Sequence, residues 1–216
     1  MAELILVRHG QANSTARDAD SYDNLSALGI EQGRWLGETL RREAKPFSRT
    51  LCGSLRRHHQ TAAAMGHDTR LTDPRLDEFD YFGLAQQMQA EHGIAMPEDG
   101  AGFAAHVPVL LEHWQRGALS EVTESFEAFE ARVADALRDQ VAPGGRVLLV
   151  TSGGVIAMAL RIVLGLDLAA TSRIMLQVMN TSLHRIEHIH GEMMLAQFNA
   201  TPHLDAPDRA HARTFV

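Results

Sequence analysis

Two short strings in this sequence could hold a phosphate. Arg8-His9-Gly10 follows directly on the apolar run Leu4-Ile5-Leu6-Val7. A cation, an imidazole and an unhindered backbone amide therefore converge at a strand end, where an anion would sit. The stretch Gly53-Ser54-Leu55-Arg56-Arg57-His58-His59-Gln60-Thr61-Ala62 opens a helix after a second short run and puts Arg57 in its first turn. There a guanidinium can fork two phosphoryl oxygens beside the positive end of the helix dipole. Arg56 reads as a solvated helix position, and His58 and His59 as exposed side chains. A glycine-rich turn, Thr151-Ser152-Gly153-Gly154, follows a third buried run, Val147 to Val150. The chemistry these residues invite is recognition of a phosphoryl group.

Buried strands and capped helices have to carry these loops. Residues 3–7 are a short, continuous apolar run, partly β-branched, as expected of a strand buried on both faces of a parallel sheet. Residues 11–24 are small and polar, and Ser26 then caps a helix with Leu28, Trp35, Leu36 and Leu40 on its apolar face. Residues 48–52 make a second strand, leading through Gly53-Ser54 into a helix that passes Ala62-Ala63-Ala64-Met65. Pro74 punctuates. Residues 79–118 read as loose helical fragments broken by Gly93, Pro97, Gly100, Gly102 and Pro108, inserted as a lid over the sheet edge. Ser125 caps a helix to Gln140, Gly144-Gly145 ends that connection, and a helix from Val155 to Leu164 follows the third strand. Residues 181–189 and 192–198 alternate around Gly191 as a hairpin, and the tail after Pro202 is irregular. Strands alternating with helices predict a single α/β domain over residues 1–216, a three-layer α/β/α sandwich with a mostly parallel sheet and 79–118 as its inserted lid. Ligands of such sheets bind at the C-terminal strand ends, here the loops 8–14, 53–58 and 151–155.

Composition narrows the partners. The chain has 216 residues, 45% hydrophobic and 22% charged, which suits one ordinary globular domain without disorder or repeats. A net charge of −7 argues against nucleic acid and anionic membranes, because both need a basic surface to displace counterions. The apolar start is halted by Arg8 after four residues, too few for a signal sequence or a membrane span. Cys52 has no second cysteine to pair with and no base placed beside it, so it is read neither as a disulfide partner nor as a nucleophile. A reducing, cytoplasmic location is expected. His184, His188 and His190 alternate along one strand face, but no carboxylate or cysteine pattern accompanies them, and they read as an exposed hairpin face instead of a metal site.

The strings LVRHGQA, LSALGIEQ, SLRRHHQTA, DPRLDE and VTSGGVI, in that order over residues 4–156, resemble the landmarks of the histidine phosphatase superfamily, also called phosphoglycerate mutase-like. The resemblance implies the same sandwich. It also implies that His9 is transiently phosphorylated, that Arg8 and Arg57 bind the phosphoryl group, and that Glu78 is the proton donor. From its own neighbourhood, Glu78 reads equally as a charged residue on the lip of the lid. The resemblance implies no metal and no cofactor, since phosphoryl transfer is mostly positioning and charge stabilisation, which two arginines and backbone amides can supply. The expected partner is a small phosphorylated substrate or inorganic phosphate, and a homodimer is compatible with the sequence.

One position departs from the pattern. Where the family has a second histidine followed by glycine, this sequence has Ser152. A neutral hydroxyl in place of a charged donor costs roughly 10²–10³ in rate, by analogy with the loss of one oxyanion donor. Two features could compensate: the Gly153 amide at a helix N-terminus, or a histidine brought in from the C-terminal part, His184 or His203. Each of those also reads as an ordinary hairpin or tail residue. The opening RHGQA, the Ser-Gly-Gly turn and the closing Pro202-His203-Leu204 resemble a bacterial subgroup with serine at this place. From Phe79 to Ala118, five acidic residues (Asp80, Glu91, Glu98, Asp99, Glu112) stand against one basic, Arg116. Such a segment repels polyanions and suits a monoester with a neutral, apolar or cationic leaving group, so phosphatase is preferred to mutase. Two other readings stand beside it. One is an inactive relative that binds a phosphorylated ligand between Arg8, His9 and Arg57. The other is a nucleotide-binding protein with Ser152-Gly153-Gly154 as its phosphate loop, for which the first loop lacks the glycine spacing.

Overall fold

A computed structural model describes residues 1–13, 18–43, 45–67 and 71–215, so the end of the predicted first loop, residue 14, lies outside the described residues. Strand β1 (Ala2–Arg8) is the centre of a five-stranded sheet of order β2-β3-β1-β4-β5. It pairs in parallel with β3 (Gly145–Thr151), which pairs in parallel with β2 (Arg49–Cys52). The other half is antiparallel and is the hairpin expected around Gly191: β4 (Leu183–Ile189) lies beside β1, and β5 (Glu192–Ala200) closes the edge. The sheet is thus mixed, and its parallel half carries the three predicted loops.

Side chains alternate across the central strands into two cores. Leu4, Leu6, Val147 and Leu149 enter one, while Ile5, Val7, Leu148 and Val150 enter the other. Burial on both faces explains why these strands read as unbroken apolar runs. Helices α2 (Ala27–Arg42) and α3 (Arg56–Ala64) cover the second core with Leu36, Leu40 and Ala62, and a short helix, α1 (Ala19–Tyr22), precedes them. The first core is covered by α4 (Tyr81–His92), α5 (Gly100–Gln115), α6 (Phe126–Val141), α7 (Gly153–Leu164) and α8 (Leu168–Gln177), the last without a counterpart in the sequence reading. Ser26 and Ser125 cap α2 and α6 as expected, accepting from the amides of Gly29 and Ala128.

Residues 79–118 are more regular than their glycines and prolines suggest. Gly93 ends α4 at φ +68°, the left-handed conformation of a C-terminal cap, and Asp99 starts α5 by accepting from the Gly102 amide. Gly93 and Pro97 therefore lie between two full helices, Gly100 and Gly102 open the second, and Pro108 is accommodated within it; Leu84, Met88, Leu110 and Trp114 carry both helices into the main core. The C-terminal tail forms two short 3₁₀ turns, Pro202–Leu204 and Pro207–Ala212. It docks on α2, where the Gln32 side-chain amide donates to the Ala212 carbonyl at 2.7 Å. The other end of Gln32 accepts from the Gln11 amide at 2.8 Å, so the tail, α2 and the first loop are tied through one side chain. Among the described residues no helix is long and apolar enough to cross a membrane.

Candidate active site

The ends of three parallel strands meet. Arg8 is opposite Thr151 and Cys52 is opposite Val150. Just beyond, the His9 amide donates to the Thr151 carbonyl at 2.8 Å and the Gly53 amide to the Val150 carbonyl at 3.1 Å. The first loop is fastened to α3 as well: the Gly10 amide donates to the Thr61 hydroxyl at 3.0 Å, which donates to the Arg57 carbonyl at 2.7 Å.

His9 is almost completely buried, and its Nδ1 lies 2.7 Å from the Gly10 carbonyl. A carbonyl only accepts, so Nδ1 carries the proton and Nε2 keeps its lone pair. Burial, and then the nearby Arg57 and Arg8 charges, hold the imidazole well below its usual range. It is neutral at any ordinary pH, as a nucleophile must be. The loop behind it is braced by Asn180, whose side chain donates to the His9 carbonyl at 3.2 Å and accepts from the Thr214 hydroxyl at 2.8 Å.

Two buried guanidinium groups flank this ring. Arg8 donates through Nη1 to the Val178 carbonyl. Arg57 pairs with Asp23, with Nη1 and the backbone amide at 3.0 and 3.1 Å from one carboxylate oxygen, and lies 5.2 Å over the Tyr22 ring. The Nε of each arginine is buried without a hydrogen-bond partner among the described residues. Buried cationic donors left unpaired are costly, and an oxyanion between them removes that cost. Phosphate is accordingly expected to raise the melting temperature. At 100 times its dissociation constant it adds about 2.7 kcal/mol, a shift of roughly 5–11 °C for a chain of this size. Thermal scans with phosphate against chloride at equal ionic strength check it, and superimposable curves would contradict an anion site here.

Glu78 reaches the same place from the turn Pro74–Leu76. One carboxylate oxygen accepts from the Gly154 amide at 2.9 Å, at the N-terminus of α7, and the other from the Phe79 amide at 3.2 Å. Burial raises its pKa, opposed by the Gly154 amide, Arg57 and Arg8. The turn is clamped by Arg132, which donates at 2.8 Å to the carbonyls of both Arg75 and Asp77 and pairs with Glu124. Sequence reasoning did not single out Arg132, Asp23 or Asn180.

Ser152 is fully buried, and a Cβ on Gly153 would sit 3.6 Å from Arg8 Nε, so the third loop does lie against the arginines. The expectation that His58 is exposed is wrong. It is completely buried, its ring 5.8 Å from that of His9, with Nε2 2.7 Å from the Ser152 hydroxyl. The inward face of α3 consists of Arg57, His58, Thr61 and Ala62. His59 is half-buried, with Nδ1 3.3 Å from the Cys52 sulfur. The expectation that no base lies beside Cys52 is thus corrected, but the thiol is buried and pushed up to about 11 by burial and Asp77, which disfavours the thiolate a nucleophile needs.

The structure does not bring His184 or His203 into the constellation, and His184, read as part of an exposed hairpin face, is instead completely buried at the hairpin base. The His184 ring accepts from the Asn199 amide and shares its other nitrogen with the Ser182 hydroxyl at 2.9 Å, and both bonds are internal to the hairpin base. His203 bonds the Thr181 hydroxyl at 2.8 Å, while the Thr181 amide donates to the Arg8 carbonyl, so it props the backbone behind the site. These buried rings make the fold acid-labile. Burial first of all holds His58 and His203 to about 4 and His184 to about 3, against 6.5 for a free imidazole. Below pH 6.5 the unfolded chain gains protons that the folded chain refuses, so each ring removes about 1.4 kcal/mol per pH unit until its folded pKa is reached. His9, whose pKa burial also lowers, adds to this effect, and Glu78, shifted upward, acts in the opposite sense. Urea midpoints should fall steeply from pH 6.5 to 4.5, and a flat profile would mean these rings are not buried.

Comparison with known proteins gives the family and the fold. The family model for the histidine phosphatase superfamily (branch 1) matches residues 4–201. A comparison with curated protein sequences returns no match. Among solved structures, a mutant phosphoserine phosphatase from Entamoeba histolytica bound to phosphoserine is 19% identical, with 94% of this chain and 100% of that one covered at a TM-score of 0.70. The mycobacterial glucosyl-3-phosphoglycerate phosphatase is 26% identical, covering 93% and 100%, with a TM-score of 0.64. The α-ribazole phosphatase of Shigella flexneri is 21% identical, covering 92% and 96%, with a TM-score of 0.68.

Proposed function

The chain belongs to the histidine phosphatase superfamily, branch 1, and from that premise we propose that it hydrolyses a small phosphomonoester, without a metal, through a phosphohistidine on His9. The observation that carries the reading is a neutral imidazole whose Nδ1 is held by the Gly10 carbonyl, leaving Nε2 its lone pair, within the field of two buried guanidinium groups whose Nε atoms have no partner among the described residues. Arg8 and Arg57 orient the phosphoryl group and spread its charge. His9 Nε2 attacks phosphorus as the ester P–O bond breaks, and Glu78 gives its proton to the departing alcohol. Glu78, now a carboxylate, takes a proton from water as that water attacks phosphohistidine, and phosphate leaves with His9 restored.

The substrate class follows from the walls. Tyr22 stands edge-on to His9 at 6.3 Å, Phe82 is 6.3 Å from Tyr22, and Tyr81 is 5.7 Å from Phe82. Residues 79–118 thus contribute two half-buried aromatic rings near the site. Asp80 and Asp99 cap helices there, and Glu112 holds Arg116, the segment's one Lys or Arg, which leaves no free cation from it for a second phosphate or a carboxylate. A monoester of a neutral or apolar alcohol fits better than a phosphorylated acid. Solved neighbours named for phosphoserine, glucosyl-3-phosphoglycerate and α-ribazole phosphate agree with a small phosphorylated metabolite.

The test is hydrolysis of p-nitrophenyl phosphate in EDTA with acid-quench trapping. Turnover that survives chelation, with a phosphoryl label stable in alkali and lost in acid, supports the reading. Equal turnover of 3-phosphoglycerate and the aryl ester would undo the substrate class. A chain that is inert yet stabilised by phosphate would instead be a phosphate-binding relative.

A further inference from the structure

Ser152 stands where a residue should cap α7, yet its hydroxyl makes no bond to that helix. A serine at this position ordinarily gives its oxygen to the second or third helical amide. Here it lies 2.7 Å from His58 Nε2, with Arg57 Nη2 at 3.5 Å. The other nitrogen of His58 faces Asp77. Nδ1 is 3.7 Å from Oδ1, an ion-pair separation slightly longer than a hydrogen bond, and it has no hydrogen-bond partner among the described residues. Asp77 is held in place by Ser54, whose amide donates at 2.6 Å to Oδ1 and whose hydroxyl donates to Oδ2. Gly53 leaves the room this needs: a Cβ there would be 2.3 Å from His58 Nδ1 and 2.5 Å from Asp77 Oδ1. A carboxylate, an imidazole and a hydroxyl thus form a line that ends beside Arg57, with its imidazole 5.8 Å from the His9 ring.

Resting on the phosphatase reading above, we propose that Asp77, His58 and Ser152 are a proton relay for the phosphoryl group, with Ser152 Oγ as the contact and His58 as the positioning residue that holds the proton behind it. Asp77 as a carboxylate only accepts, so neutral His58 carries its hydrogen on Nδ1 and accepts the Ser152 hydroxyl proton at Nε2. A phosphoryl group bearing one proton then docks between the arginines. Ser152 passes its proton to His58 Nε2 and receives the phosphoryl proton in its place. The O–H bonds of serine and phosphoryl break, and new Oγ–H and Nε2–H bonds form. What results is a dianionic phosphoryl group accepting from Ser152, with an imidazolium held between Ser152 and Asp77. The charged and titratable groups facing His58 are Asp77, Asp23 from the segment before α2, Arg57 on its own helix and the His9 ring. Two carboxylates against one guanidinium favour the imidazolium once the incoming anion has offset Arg57. In the free protein burial keeps His58 at about 4, so the ring is neutral until the anion arrives.

The experiment compares wild type, His58→Gln, Ser152→Ala and the double variant on p-nitrophenyl phosphate, with melting curves in and out of phosphate. A glutamine fills the ring's place and can accept from Ser152, yet cannot take up the proton. His58→Gln should keep the wild-type melting temperature while kcat falls about 10²-fold and KM moves by less than about threefold. Ser152→Ala should lose about as much, and the double variant no more than either single, because members of one unit are not additive. Wild-type kcat in His58→Gln would make the ring merely structural and overturn the relay, as would single losses that multiply in the double variant. An inert wild type overturns the phosphatase reading together with the relay, whereas an active wild type with an unaffected His58→Gln overturns the relay alone.

Discussion

His9→Ala is expected to lose at least about 10⁴-fold in kcat on p-nitrophenyl phosphate while still being stabilised by inorganic phosphate. The two halves of this result separate attack from binding. Attack needs an unprotonated ring nitrogen aimed at phosphorus, and His9 Nε2 is the nitrogen left free by the Gly10 contact. No neighbour can take over. The His58 ring is 5.8 Å away with Nε2 committed to Ser152, and the Cys52 thiol is buried with its pKa near 11. Binding rests on Arg8 and Arg57, which are anchored independently of the ring through Val178 and Asp23. The phosphate-induced rise in melting temperature should therefore survive in the variant. Activity within about tenfold of wild type would put the nucleophile elsewhere. Loss of the phosphate response would instead show that the imidazole, and not the arginine pair, makes the anion site.

The local features of the fold were legible in the sequence because their signals are local. An apolar run entering Arg-His-Gly, serines three residues ahead of the amides they accept from, and Gly191 between two alternating stretches each depend on a few neighbours. The parallel half of the sheet follows from them, and with it the convergence of three loops. His58 was misread for a physical reason. Its type suggested solvent, while its phase says the opposite: Arg57, His58, Thr61 and Ala62 repeat at the helical period and form the buried face of α3. Asp77 was passed over beside Glu78, although adjacent acids in an extended segment point in different directions, one toward His58 and one toward α7. What supports His9 from behind was not legible at all. Asn180 and Thr214 are distant in sequence from His9, and Asn180 reaches it only because β4 returns beside β1 while the tail brings Thr214 to Asn180. The glycines and prolines of residues 79–118 misled too: Gly93 is a cap that looks like a break, and Pro108 sits inside α5, held there by a helix whose Leu110, Leu111 and Trp114 are buried in the core.

Glu78→Gln should turn steady hydrolysis of p-nitrophenyl phosphate into a burst: about one equivalent of nitrophenolate released quickly, then turnover slowed by roughly 10²–10⁴. The substitution spares the fold. A glutamine oxygen can still accept from the Gly154 amide, the contact that seats this side chain at the start of α7. What it removes is a proton that moves twice. In the first step a nitrophenolate departs without help, so phosphorylation of His9 proceeds. In the second, water must lose a proton as it attacks, and with no carboxylate to take it the phosphohistidine accumulates. An alkyl phosphate behaves differently, since its alkoxide cannot leave unprotonated, and with it both burst and turnover should disappear. The pH dependence follows the same logic. Burial raises the Glu78 pKa despite the Gly154 amide and the two arginines, so the acid form persists above the ordinary carboxylate range. Wild-type hydrolysis of the alkyl ester should accordingly be fastest in mild acid and decline as pH rises through that pKa, and the decline should vanish with glutamine. Equal slowing of both esters with no burst would mean that Glu78 only positions the substrate, and the proton would have to come from another group.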